Sequence, residues 1–227
     1  MAEIYLVAGA TGKLGQEIVS RLLLKNRHVR AFVRDATKGR ALLGENLEVV
    51  EGDIRRIDTI HEVLQGVHTV ICATGAREPE GQNGPEEVEY EGVRLMATVA
   101  ANSGVARFVL VSALGVAQAE NAPDHLTQAL EWKRKGEEAL RESGVAYLIV
   151  RPGRLTEEAG GQQGIKLGSS IAISGEISRA DLAEVILQAL ARENISNVTF
   201  EVVGTQGPAP QSDEDWNRIF APLEAET

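Results

Sequence analysis

At 227 residues, with 43% hydrophobic and 25% charged side chains, the chain has the composition of an ordinary globule that can bury about 70% of its unfolded surface in one core. A formal net charge of −10 argues against nucleic acid as a partner, because most of the surface would repel a polyanion, so any phosphate must be met locally. The opening "MAEIYLV" has no basic segment followed by an apolar stretch of signal length, and no window approaches the ~20 apolar residues of a membrane span; the expectation is a cytoplasmic protein that engages no membrane.

The first apolar run, "EIYLVA", leads directly into "GATGKLG", Gly9 to Gly15, and then into an amphipathic stretch from Lys13 to Lys25. Strand, glycine loop and helix in this order aim the first free N–H groups of a helix at an incoming pyrophosphate. Gly9 allows the tight turn, Gly12 lets the backbone approach the phosphates, and Gly15 permits close packing of helix on strand. The spacing is G-x-x-G-x-x-G, and Thr11, Lys13 and Leu14 complete the candidate cofactor-binding loop.

The second strand, "HVRAFVR", closes on Arg34, where an acid would accept hydrogen bonds from an adenosine ribose. A guanidinium pairs instead with a 2′-phosphate, which favours NADP(H) over NAD(H). Asp35 stands next door, and a shift of one residue would restore the acid. Lys38 and Arg40 either add charge here or are simply solvated. After a short helix to Leu43, the third strand "LEVVEGD" brings Asp53 and Ile54. Asp53 either accepts from the adenine amino group while Ile54 packs on the ring, or caps the helix at Arg55, and the two roles are compatible.

A helix from Ile57 to Gln65 precedes the strand "HTVICAT", which holds Cys72, the only cysteine, in an apolar setting that reads as a buried, inert thiol. The fourth strand end adds Ala73, Thr74 and Gly75 to the candidate cofactor residues. A helix from Glu86 to Ser103, the strand "ARFVLVSA", a helix from Leu126 to Ser143 and the strand "AYLIVRP" follow. Gly104 and Gly144 sit where a left-handed residue ends a helix. Beyond Pro152, "EEAGGQQGIKLGSS" reads either as a mobile flap beside a site or as a plain surface connection, followed by an apolar piece at Ile171 to Ile173. A helix from Arg179 to Ala191, the strand "VTFEVVG" and an acidic helical piece from Asp213 to Phe220 close the chain. Strands without polar alternation, repeatedly followed by helices, predict an α/β fold of the Rossmann type. It is a doubly wound parallel sheet with a small C-terminal elaboration, one domain over 1–227, with 152–227 supplying the substrate-side flap and C-terminal elements. His28, His61 and His68 have no ligand spacing, so no metal is expected.

The motifs "GATGKLG", "EGD", "CATGA", "YEGVRLMATVAANSGVARFVLVSALG", "WKRKGEEALRESGVAYLIVRPG" and "SRADLAEVILQAL" run in order from about Ile4 to Leu190. In this they resemble the atypical short-chain dehydrogenase/reductase family, in its small NAD(P)-binding, NmrA-like branch. The resemblance implies a cofactor lying across the strand ends, with Thr74 and Gly75 near ribose and pyrophosphate, and Pro152 and Gly153 against the nicotinamide amide unless they merely stop the strand. It also implies a catalytic set of Ser at the end of the fifth strand, then Tyr and Lys as Y-x-x-x-K on the next helix. Ser112 matches the Ser and Lys133 the Lys, but Ala129 stands where the Tyr would be, and alanine has no proton to give. "SRAD", Ser178 to Asp181, caps the following helix and borders the substrate side in the family.

Three readings stay open. The protein is an oxidoreductase acting on an unknown small molecule, with Lys133 fixing the ribose, Ser112 polarising a carbonyl and the proton coming from His125, Tyr90 or water. Alternatively it binds NADP(H) without catalysis and reports redox state to a regulatory protein partner. The third reading is a nicotinamide-assisted enzyme of another type, such as an epimerase or a flavin reductase.

Overall fold

The apolar runs are strands in the computed structural model of the protein, which describes residues 3–168 and 174–224. In chain order the elements are β1 (Ile4–Ala8), α1 (Lys13–Leu24), β2 (His28–Val33), α2 (Ala36–Leu43), β3 (Glu48–Glu51), α3 (Ile57–Val63) and β4 (Val67–Cys72). A π-helical stretch, Glu86–Glu91, then runs into α4 (Gly92–Asn102), followed by β5 (Arg107–Val111), α5 (Asp124–Glu142) and β6 (Tyr147–Pro152). The remainder comprises β7 (Arg154–Thr156), β8 (Gly164–Gly168), β9 (Glu176–Ser178), α6 (Arg179–Leu190), β10 (Val198–Thr205) and α7 (Asp213–Glu224).

Eight strands form one sheet in the order β3-β2-β1-β4-β5-β6-β10-β8. Seven are parallel, and β8 alone runs antiparallel, against β10. From β1 the chain winds outward through β2 to β3, then returns to the other side of β1 with β4. Val7 therefore lies between Ala31 of β2 and Ile71 of β4. Chain connections diverge at this point, and a crevice opens beyond the carboxyl ends of β1 and β4.

The strands lack polar alternation because both faces are covered. Val7, Val109 and Val150 face a core shared with Ile18 and Leu22 of α1 and with Leu182 and Ile186 of α6. Their neighbours Leu6, Phe108 and Ile149 face the opposite core, with Ile60 of α3, Met96 of α4 and Leu140 of α5. Each fully buried aliphatic side chain contributes roughly 1.5–3 kcal/mol, so a one-residue slip of any central strand would move its apolar side chains into the wrong layer.

Two expectations need correction. Glu86 to Ser103 is two helical segments, because the first is π-helical and turns its side chains differently from α4. The glycine-rich stretch is only partly a loop: Gly164–Gly168 is an edge strand whose Ile165 and Leu167 are buried, so the flap reading fails for that half. The expected strand "VTFEVVG" is β10, which pairs with β6 and carries β8 at the sheet edge, while β7 and β9 pair separately. Gly104 and Gly144 do take the left-handed conformation, with φ of 72° and 83°. The piece at Ile171 to Ile173 lies outside the described residues.

Candidate functional site

The glycine loop sits at the switch point. Gly9 has φ of 80°, and a Cβ there would lie 2.6 Å from the Ala73 carbonyl oxygen at the end of β4. A Cβ on Gly15 would run into the Gly9 carbonyl and come within 2.8 Å of the Ala10 Cα. Turn, strand end and first helical turn therefore pack backbone on backbone, and only glycine fits at either position. Gly12 is the N-cap, extended at φ −74° and ψ 158° with no capping side chain, and its N–H donates to the Gly9 carbonyl at 2.9 Å. The first bond of α1 runs from Gln16 to Gly12, so the N–H groups of Lys13, Leu14 and Gly15 lead the helix, at the positive end of its dipole. A cradle without side chains, fronted by main-chain donors, fits a diphosphate bridge.

A cleft of about 190 Å³ extends from this turn over the ends of β2 and β3. Of the expected cofactor residues, Gly9, Thr11, Gly12, Arg34, Asp53, Ile54, Ala73, Thr74 and Gly75 line it, together with Arg55, Arg77, Asn83 and Val88. Arg34 is exposed on its lip and donates from Nη1 to Asn83 Oδ1 at 2.8 Å. Asp35 is exposed and does not line the cleft: it is the N-cap of α2, accepting from the Lys38 N–H at 2.9 Å, while Glu51 accepts from the Ala36 N–H at 3.0 Å. Asp53 accepts from the Arg55 main chain at 3.0 Å and from its guanidinium at 2.8 and 2.5 Å. The Arg55 guanidinium holds the Asp53 carboxyl below its ordinary range despite partial burial. Arg55 also donates to the Gln82 carbonyl, so the loop at Gly81–Asn83 is tied across the mouth from both strand ends. Ile54 is buried against Gly92, where a Cβ would lie 2.8 Å from its Cγ2.

Lys13, Leu14, Gly15, Ser112, Lys133, Pro152 and Gly153 do not line that cleft. The Leu14 side chain is in the core, and Lys13 pairs on the surface with Glu157. Pro152 accepts from the Leu114 N–H at 2.8 Å, and Gly153 abuts the Gly175 main chain, which alone accounts for its missing side chain.

Ser112, just past β5, donates to Glu137 Oε1 at 2.6 Å. Glu137 is fully buried and also receives Arg151 at 2.9 and 2.7 Å and Arg141 at 2.9 Å. Burial pushes its carboxyl upward, but the bonds from Arg151, Ser112 and Arg141 outweigh this and hold it below the ordinary glutamate range. An ionised carboxylate only accepts, so the single Ser112 proton is committed inward. Polarising a carbonyl by donation from Ser112, as expected above, does not match this geometry.

Lys133 of α5 donates to Glu89 Oε2 at 2.6 Å, and the Ala76 N–H donates to Glu89 Oε1 at 3.0 Å. Ala129, one turn earlier, is half-buried. Tyr90 stacks on Trp132, with ring centroids 5.8 Å apart and Lys135 over the indole, so its ring belongs to the packing of the π-helical stretch on α5. The His125 side chain lies outside the described residues. Cys72 is buried, and burial raises its thiol pKa.

Glu89 and Glu137 escaped the sequence reading, although a signal existed. Glu89 lies four residues before Val93, and Glu137 three before Leu140, so both acids fall on otherwise apolar helix faces. Ser178 is the N-cap of α6, accepting from the Asp181 N–H at 3.0 Å and donating to Asp181 Oδ2 at 2.8 Å, as its pattern predicted. Among the described residues no helix is long and apolar enough to cross a membrane, and no group of three or more His, Cys, Asp or Glu could hold a metal ion.

Residues 9–193 match the NAD(P)H-binding family. Protein TIC 62, chloroplastic, of Pisum sativum is 34% identical over 209 residues, covering 81% of this chain, which spans about two-fifths (39%) of that relative's length. Sanguinarine reductase of Eschscholzia californica is 28% identical over 260 residues, covering 95% of this chain and 94% of that one. Among solved structures, a Bacillus halodurans protein provisionally described as an NAD-dependent epimerase/dehydratase superposes with a TM-score of 0.81 at 27% identity, covering 91% of this chain and 96% of its own.

Proposed function

The chain belongs to the NAD(P)H-binding family, and on that premise we propose that it is an NADP(H)-dependent oxidoreductase that reduces a small molecule without a tyrosine acid. The observation that carries the reading is the side-chain-free glycine turn sharing one cleft with the exposed guanidinium of Arg34. A reduced nicotinamide supplies hydride when bound. Toward it, the leading amides of α1 hold the diphosphate bridge, Arg34 pairs with the 2′-phosphate, and Lys133 holds the nicotinamide ribose. Asp35 caps α2 and does not line the cleft, whereas Arg34 does, which supports NADP(H) over NAD(H).

With alanine at position 129 and the Ser112 hydroxyl donating its hydrogen bond to Glu137, neither residue gives a proton to the acceptor. The proton then comes from water, which suits acceptors whose reduced form is stabilised by conjugation, such as quinones and flavins. The reductase name of the Eschscholzia californica relative agrees in reaction type. The same two residues favour one second reading, a redox sensor that binds NADP(H) and signals to a protein partner. We place its action in the cytoplasm, although the Pisum sativum relative is named as chloroplastic.

The loss of reduced-nicotinamide absorbance in a screen of quinones, flavins and small carbonyls separates the readings: turnover supports the enzyme, and tight binding without turnover supports the sensor. Replacing Arg34 with alanine raises the NADPH Kd by roughly tenfold or more, as expected for lost charge-assisted bonds, and leaves the NADH Kd in place. An equal change for both coenzymes refutes the assignment of Arg34.

A further inference from the structure

We propose that Glu89 sets the relative affinity of the site for oxidised and reduced nicotinamide by cancelling the charge of Lys133. This inference rests on the cofactor reading above.

The pair is built into the fold. The side chain of Glu89 is 9% exposed and that of Lys133 19%, with oxygen and nitrogen 2.6 Å apart. The second Glu89 oxygen holds the Ala76 main chain, directly after Gly75, and a Cβ on Gly75 would lie 3.9 Å from it. The carboxylate therefore stands against the loop that follows β4, at Gly75 and Ala76. Glu86 and Glu87 on the same stretch are exposed, whereas Glu89 is turned inward. Here α5 approaches so closely that a Cβ on Gly136 would run into the Glu89 carbonyl. π-helical geometry of this kind recurs at functional sites.

The placement of the pair gives it a consequence. The cleft with Arg34 takes the adenosine half of a dinucleotide beyond β2 and β3, so the other half crosses the switch point toward β4 and β5. Glu89 and Lys133 lie on that side. Oxidised nicotinamide carries a positive charge and the reduced ring carries none. An uncompensated ammonium would disfavour the oxidised form, a lone carboxylate would favour it, and a neutral pair does neither.

Titration calorimetry of the full chain with NADP⁺ and with NADPH tests this directly. Glu89→Gln raises the ratio of the NADP⁺ Kd to the NADPH Kd by about fivefold or more, Lys133→Gln lowers it by a similar factor, and the double variant returns to within about twofold of the original ratio. Glu89→Asp keeps the charge and the ratio, even where it weakens both affinities. A purely structural role for Glu89 would move the two affinities together. Shifts of the same sign in the two single variants, or ratios that stay within about twofold, overturn the inference and leave the cofactor reading standing. Failure of the unmodified chain to bind either form overturns the cofactor reading itself, and the inference with it.

Discussion

The charge cluster behind β5 and β6 makes the stability of the protein depend on one glutamate. Glu137 is fully buried and accepts from Ser112, Arg141 and Arg151, whose side chain is only 11% exposed. Glu137→Ala takes the bidentate carboxylate from Arg151 and leaves Glu201 as the charge still acting on the buried guanidinium; breaking such a buried pair costs about 3–5 kcal/mol. For a chain of this size each kcal/mol moves Tm by about 2–4 °C, so the expected fall is roughly 6–20 °C. Far-UV circular dichroism during a thermal ramp at neutral pH measures it. Arg141→Ala, at a site 33% exposed, costs much less. The double variant Glu137→Leu/Arg151→Met regains part of the loss, because the apolar pair needs no desolvation while the buried Glu201 loses the charge of Arg151. A fall of less than about 2 °C for Glu137→Ala would show that the cluster is solvated in a way this packing does not allow.

The same cluster sets an acid limit. Because the folded pKa of Glu137 is depressed, its contribution is complete above the ordinary value of 4.5 and is lost as pH falls through the folded value, and Tm against pH should therefore steepen below 4.5 in the native chain and flatten there in the Leu/Met double variant. Gly15→Ala forces the Gly9 turn off its position, so about 1–3 kcal/mol of stability and most cofactor affinity are lost together; calorimetry showing unchanged affinity refutes the backbone cradle. Ser178→Ala removes the α6 cap and costs about 1 kcal/mol in a urea titration, and a neutral result would mean that Asp181 caps the helix unaided. Cys72 should resist a thiol reagent in buffer and react fully in denaturant, and rapid labelling of native protein would contradict its burial.

The sequence by itself determined the alternating fold, the glycine turn and the caps. These are local facts: a left-handed Gly9, a cap at Ser178 and strands apolar on both faces are each written within a few residues. It also placed Arg34 at a strand end, but only the folded chain shows that Asp35 caps α2 while Arg34 lines the cleft. Gly164–Gly168 was illegible as a strand because its pairing partner, β10, lies more than thirty residues on and lends it an edge that composition cannot announce. Most of all, tertiary structure decided which charges meet. Glu89 finds Lys133 from 44 residues away, and Ser112 and Arg151 find Glu137 across 25 and 14. Such partnerships are set by how helices dock on the sheet, since a buried carboxylate is tolerable only where the folded chain brings donors to it.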